Sequence, residues 1–271
     1  MEGKEVSDTT VAQIKPEIIL FRGFTWTLRH VWSPFVVKLE ARLRFAGVPY
    51  KAAAGTPREA PRGKVPYIQL GNNPALIGDS TIIIRTLIDQ GIMPDLNKEL
   101  SGEDKARDLA IRALLEDKLY FFLVRERWED NYYKMRDGVL EPLPYPVRMV
   151  VGYLVHRRTM EMLYGQGVLR YTKVEAAALR REIWEAIAEM LKESQSKLVL
   201  QGACHDILKP FWILGGQNPT EADAVVFGFI VSSLVCEAGP ETANMIRSFP
   251  VLLQYATAIH DTYFNEYQGW K

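Results

Sequence analysis

The chain has 271 residues, 48% of them hydrophobic and 24% charged, with Lys plus Arg equal to Asp plus Glu at 33 each. That length builds one large domain or two small ones around an ample core, and zero net charge removes the electrostatic basis for a nucleic-acid or anionic-membrane partner. With only Cys204 and Cys236 present, neither a disulfide framework nor a clustered thiolate metal site is expected.

Residues 1–15 are mixed and polar, without the apolar stretch of a secretion signal or the Arg-rich character of a transit peptide, and read as a disordered tail. No apolar run reaches the roughly eighteen residues of a membrane span. The expectation is a cytoplasmic protein without a membrane partner.

From residue 16 to 91 short strands alternate with helices. Ile18-Ile19-Leu20-Phe21 is an apolar run closed by Arg22-Gly23, which suits a buried strand. A polar and aromatic loop, FTWTLRHVW, leads to Ser33-Pro34, where helical spacing begins. Ser33 suits an N-cap and Pro34 the first helical position. Phe35, Leu39, Leu43 and Ala46 form one apolar stripe, stopped by Gly47. An extended piece from Tyr50 to Ala54 and the loop GTPREAPRG follow. Tyr67–Leu70, the turn GNNP and Ala75–Ile77 read as a hairpin. Asp79-Ser80 then opens a helix with Ile83, Ile84 and Leu87 inward. The order is β-α-β-β-β-α.

Residues 92–102 have linker composition. Beyond them strand signals fade, and helical patterns cover about 103–136, 147–164, 172–196, 220–238 and 241–259. A break with three prolines lies at 137–146. Thr220-Glu221-Ala222-Asp223 fits a helix N-terminal box with Asp in the place of Glu, a folding element. The fold class expected is α/β + all-α: a small α/β domain at 16–91 and an all-helical domain at 103–271.

Four elements, in order, resemble the glutathione transferase superfamily: Trp32-Ser33-Pro34-Phe35, Lys64-Val65-Pro66-Tyr67, Asp79-Ser80-Thr81-Ile82-Ile83 and Asn218-Pro219-Thr220-Glu221-Ala222-Asp223-Ala224. The stretches SPFVVKLEARLR, RWEDNYY and GQGVLRYTKVE are similar to its metaxin and failed-axon-connections branch and to fungal serine-type relatives. The resemblance implies a thioredoxin-like N-terminal domain that binds glutathione and a helical domain that holds a second, hydrophobic small-molecule substrate, in a homodimer. It also implies a cis peptide bond at Val65-Pro66. The activity implied is addition of glutathione to an apolar, conjugated electrophile, in fungal secondary metabolism; glutathione-dependent cis-trans isomerisation of a conjugated alkene uses the same site. A non-catalytic, metaxin-like interaction protein is the alternative of another class.

Site residues follow from the same elements. A free thiol is mostly protonated at neutral pH, so an enzyme using it must favour the thiolate. Ser33 is placed to donate its hydroxyl to that sulfur at the positive end of a helix. Thr25 and Thr27 compete for that role, and the Ser33 hydroxyl also serves as a cap. By resemblance, Val65 and Pro66 present backbone groups to the cysteinyl segment, Ser80 holds the γ-glutamyl carboxylate and Asp79 lies near its amino group. Lys51 and Lys64 either reach the glycyl carboxylate or are ordinary solvated charges. Trp26, Trp128, Tyr132 and Tyr133 line an aromatic pocket for the second substrate or belong to the core. Cys204-His205-Asp206 is too local in sequence for a triad, and His30, His156 and His260 lack metal-ligand spacing.

Overall fold

A computed structural model describes residues 16–200 and 209–270. The tail at 1–15 and the segment Cys204-His205-Asp206 lie outside the described residues. Strands β1 (Ile18–Phe21), β2 (Lys51–Ala53), β3 (Tyr67–Leu70) and β4 (Leu76–Gly78) form one sheet in the order β2-β1-β3-β4. β1 and β2 run parallel, so a crossover is needed, and helix α1 (Pro34–Phe45) supplies it. The β3–β4 hairpin is antiparallel, and in its turn Ala75 N–H donates to Asn73 Oδ1 at 2.9 Å, a local contact that favours Asn there. α2 (Ser80–Asp89) closes the unit, with Ile83, Ile84 and Leu87 buried as the spacing predicts.

α1 departs from its expected single stripe. Val36, Val37, Lys38, Glu40, Ala41 and Arg42 are buried along with Leu39 and Leu43, because α1 lies between the sheet domain and α8 (Glu221–Val235). Its buried charges are each matched: Lys38 Nζ lies 2.5 Å from Glu116, Arg42 Nε 2.6 Å from Glu221, and Glu40 3.1 Å from Arg22. Gly228 of α8 makes the approach possible, since a Cβ there would stand 2.7 Å from the Pro34 carbonyl oxygen and 2.8 Å from the Lys38 nitrogen.

The long helical pattern at 103–136 is three α-helices, α3 (Gly102–Ala113), α4 (Tyr120–Arg125) and α5 (Tyr132–Val139), joined by π turns at Leu114–Leu119 and Glu126–Asp130. The second π turn carries Glu126, whose carboxylate accepts from Glu241 and Thr242 backbone N–H groups and from Arg180. α6 (Tyr145–Gly165) and α7 (Lys173–Leu200) follow, then α8, α9 (Pro240–Arg247) and α10 (Pro250–Tyr263). The pattern at 241–259 divides because Pro250 has no N–H to continue the earlier helix. Thr220 and Asp223 form the expected box, with Thr220 N–H and Oγ1 both donating to Asp223 Oδ2. No single described helix is both long and apolar enough to cross a membrane.

Candidate functional site

Strand register brings three connections to one end of the sheet. Phe21, at the end of β1, faces Tyr67, and Tyr67 in turn faces Gly78. The segment after β1, the segment before β3 and the turn after β4 are therefore neighbours. Two contacts confirm this: a Cβ on Gly23 would stand 3.1 Å from the Val65 side chain, and Asp79 N–H donates to the Pro66 carbonyl at 3.4 Å. The Val65-Pro66 bond is cis, as the resemblance implies.

Ser33 caps α1 with extended backbone, and its Oγ accepts from Val36 N–H at 3.4 Å. A hydroxyl that accepts in this way keeps its proton to donate. The half-buried Ser33 thus has both roles open to it. Asp79 sits at φ +80, and its Oδ1 accepts from Thr81 and Ile82 N–H at 3.0 and 3.2 Å. Ser80 is buried at the first turn of α2, where backbone N–H groups and the helix dipole favour an anion. The donor chemistry fits the groups of glutathione: a hydroxyl for a sulfur, a helix N-terminus with Ser80 for a carboxylate, and the outer oxygen of Asp79 for an ammonium.

The loop between β1 and α1 is held from below. Arg22, buried and paired with Glu40, donates to the carbonyls of Trp26 and Arg29. Glu40 also accepts from Tyr50 and Tyr267 hydroxyls at 3.1 and 3.0 Å. Arg127 Nη1 donates to the Trp32 carbonyl at 2.8 Å, immediately before Ser33. These residues carry no local motif, because their partners come from distant segments. Only an arginine directly after an apolar strand, an expensive place for a charge, marks Arg22 in the sequence.

The remaining candidates separate. Thr25 and Thr27 are exposed on the loop. Lys64 is exposed beside Val65, whereas Lys51 stands at the start of β2, opposite Ile19, and pairs with Glu17. Trp26 packs against Phe24 with its ring tilted, centroids 4.6 Å apart, and meets Trp32 edge-on at 5.9 Å. Trp128 and Tyr132 belong to a second cluster around Leu163, and Met135 and Val139 touch both. Tyr133 is 70% exposed with the Arg136 guanidinium over its ring, so it lies outside both clusters. Trp32 itself is buried, its ring edge against Gly138, where a Cβ would stand 2.1 Å from it. Among the described residues no three His, Cys, Asp or Glu side chains cluster as metal ligands. Burial pushes the Cys236 thiol up, against any role as a reactive thiolate.

The family model of the glutathione S-transferase N-terminal domain matches residues 34–135. Metaxin-1 of Sus scrofa is 26% identical over 231 residues, covering 82% of this chain and 67% of that protein. Metaxin-1 of Homo sapiens is also 26% identical over 231 residues and 82% of this chain, but this is 46% of its length, so the chain spans about half of the human relative. Among solved structures, glutathione transferase GSTFuA2 from Phanerochaete chrysosporium superposes with a TM-score of 0.53 at 19% identity, covering 91% of this chain and 98% of that one. Ure2p in complex with glutathione gives 0.54 at 14% identity, with 92% and 91% covered. Beta-etherase LigF from Sphingobium sp. strain SYK-6 gives 0.55 at 12% identity, with 90% and 94% covered. These three share the fold: a thioredoxin-like domain with a mixed four-stranded sheet, followed by a helical domain. The family model over residues 34–135, the sequence similarity to metaxin-1 and the shared fold agree: the chain has the glutathione S-transferase fold and is similar in sequence to the metaxins.

Proposed function

We propose that the protein binds glutathione at the sheet end built by Ser33, Val65, Pro66, Asp79 and Ser80, and activates its thiol for addition to an apolar, conjugated electrophile. The observation that carries this reading is the convergence of the α1 and α2 N-termini on one sheet end, through the Phe21–Tyr67–Gly78 register. Two helix N-termini stabilise two negative charges, a carboxylate and a thiolate. Bound glutathione supplies the nucleophilic sulfur. Ser33 supplies a hydrogen bond to it, Arg127 fixes the peptide before Ser33, and Ser80 with Asp79 orients the γ-glutamyl end. The two apolar clusters, one with Trp26 and one with Trp128 and Tyr132, bridged by Met135 and Val139, suit a planar second substrate. Reversible addition of the same thiolate to a conjugated alkene would isomerise it, with glutathione required but not consumed.

Ser33→Ala tests the assignment. The variant is expected to lose about 0.5–2 kcal/mol from the missing cap. Its rate at neutral pH should fall, with part of the loss returning as pH rises, because solution then supplies the ionisation. A pH–rate profile with ultraviolet detection of bound thiolate checks this, with Thr25→Ala and Thr27→Ala as controls. An unchanged profile in Ser33→Ala, with a shift in either threonine variant, moves the role to that threonine.

A second reading, a non-catalytic docking protein, is favoured by α6. Val147, Val150, Tyr153 and Leu154 lie on its outer side at 47%, 62%, 60% and 58% exposure, more apolar surface than an ordinary solvated helix shows. Similarity to metaxin-1 points the same way. Retention on immobilised glutathione separates the readings, since a pure docking protein would not be retained.

A further inference from the structure

Helix α6 is fastened to the rest of the chain along one side. Gly152 is buried against the Arg136 side chain, which a Cβ would meet at 2.6 Å, His156 meets the Tyr132 ring edge-on at 4.7 Å, and Leu163 is fully buried. The opposite side carries Val147, Val150, Leu154 and Arg158, spaced i, i+3, i+7 and i+11 and all exposed, so they form one outward stripe. Tyr145, Met149 and Tyr153 widen it, at 63%, 40% and 60% exposure. Arg148 is the single charged residue between Tyr145 and His156, and its guanidinium turns back to the Glu141 and Leu143 carbonyls at 2.8 and 3.1 Å. The first three turns of α6 therefore present an uncharged apolar surface. It is on the order of several hundred Å², a large part of the ~800 Å² that each partner gives to a standard interface.

Opposite charges stand at the two ends of this surface. Glu141 lies in the turn that leads into α6, and Arg158 closes the stripe; both are exposed, and neither has an ion pair among the described residues. A lipid surface would favour one sign of charge around an apolar patch. A patch flanked by one negative and one positive end is instead complementary to its own reverse. With a two-fold axis beside Val150, helical rise places Arg158 about 12 Å from the axis, opposite the start of α6 in the other copy, where Glu141 stands.

We propose that the outer face of α6 is an isologous interface between two copies of this chain, packed antiparallel, with Val147, Val150, Tyr153 and Leu154 at its centre and Arg158 of each copy against Glu141 of the other. The pairing rests on the docking surface described above, not on the absence of catalysis, and gives that surface one occupant.

Sedimentation equilibrium of the full chain tests the pairing. Wild type is expected to form a reversible dimer of twice the 30.9 kDa chain mass. Val150→Asp should abolish it, whereas Val174→Asp, at a valine 80% exposed on α7, should leave it intact. Arg158→Glu and Glu141→Arg should each raise the dimer Kd about tenfold, because two-fold symmetry breaks both ion pairs at once. Both changes together should restore most of the affinity, and circular dichroism checks that each variant is folded. Mass reports the pairing and glutathione retention reports the function, so the two can fail separately. The proposal is overturned if wild type stays monomeric up to its solubility limit, if Val150→Asp keeps the dimer, or if the double charge reversal does not recover it. Vesicle binding by a monomeric wild type, lost in Val150→Asp, would also overturn it and assign the face to a membrane.

Discussion

Asp223→Ala is expected to lower stability by about 4 kcal/mol, several times the cost of an ordinary lost cap. The carboxylate is fully buried and accepts from Ile213 N–H at 2.7 Å, Thr220 N–H at 2.8 Å, Thr220 Oγ1 at 2.9 Å and Tyr255 Oη at 2.8 Å. Alanine leaves those donors buried without an acceptor. Burial also raises the Asp223 pKa from 3.8 to about 6, with the hydrogen bonds only partly opposing it. A carboxyl raised on folding contributes stability that is fully present below its unfolded pKa and lost as pH rises through the folded value. The gap between wild type and Asp223→Ala should therefore widen from pH 7.5 to pH 5. Urea denaturation at the two pH values checks both the size and the trend. A loss near 1 kcal/mol, independent of pH, would reduce Asp223 to an ordinary cap.

Gly228→Val is the second large effect. Its Cβ would enter the space between α8 and the first turn of α1, against the Pro34 carbonyl and the Lys38 backbone. Backbone cannot move aside as a side-chain tip can, so the helices must separate. The cost is expected to be about 3 kcal/mol or more, and Gly228→Ala should already show much of it. Because the displaced turn begins at Ser33, activity of any folded fraction should fall as well. Gly102→Ala, whose Cβ meets nothing within 4 Å, is the control and should change stability little. Equal denaturation midpoints for Gly228→Val and the control would show that the two domains are not locked together at this point.

Much of this was legible in the sequence because it rests on local chemistry. The strand Ile18–Phe21, the hairpin turn with Asn73, the Ser33-Pro34 and Asp79-Ser80 helix starts and the Thr220/Asp223 box each involve residues within a few positions of one another. What was not legible depends on distant partners. The charges of α1 look solvent-facing by periodicity, yet Arg42 meets Glu221 and Lys38 meets Glu116 because α8 and the first π turn cover them. The two π turns leave the helical pattern almost unbroken, so 103–136 reads as one helix. The aromatic candidates share a residue type but not a surface, and Tyr133 faces outward because it follows Tyr132 by a single helical step. Arg22 and Arg127, which fix the loop before Ser33, act through carbonyl oxygens that no side-chain motif can mark.

The most direct test of the central claim is calorimetric titration of the full chain with glutathione. The expected result is saturable binding with Kd between about a micromolar and a millimolar, the usual range for an enzyme's small-molecule substrate. Ser80→Ala should weaken that binding, raising KM more than it lowers kcat. No heat and no thermal shift at several times the upper limit of that range would contradict the account.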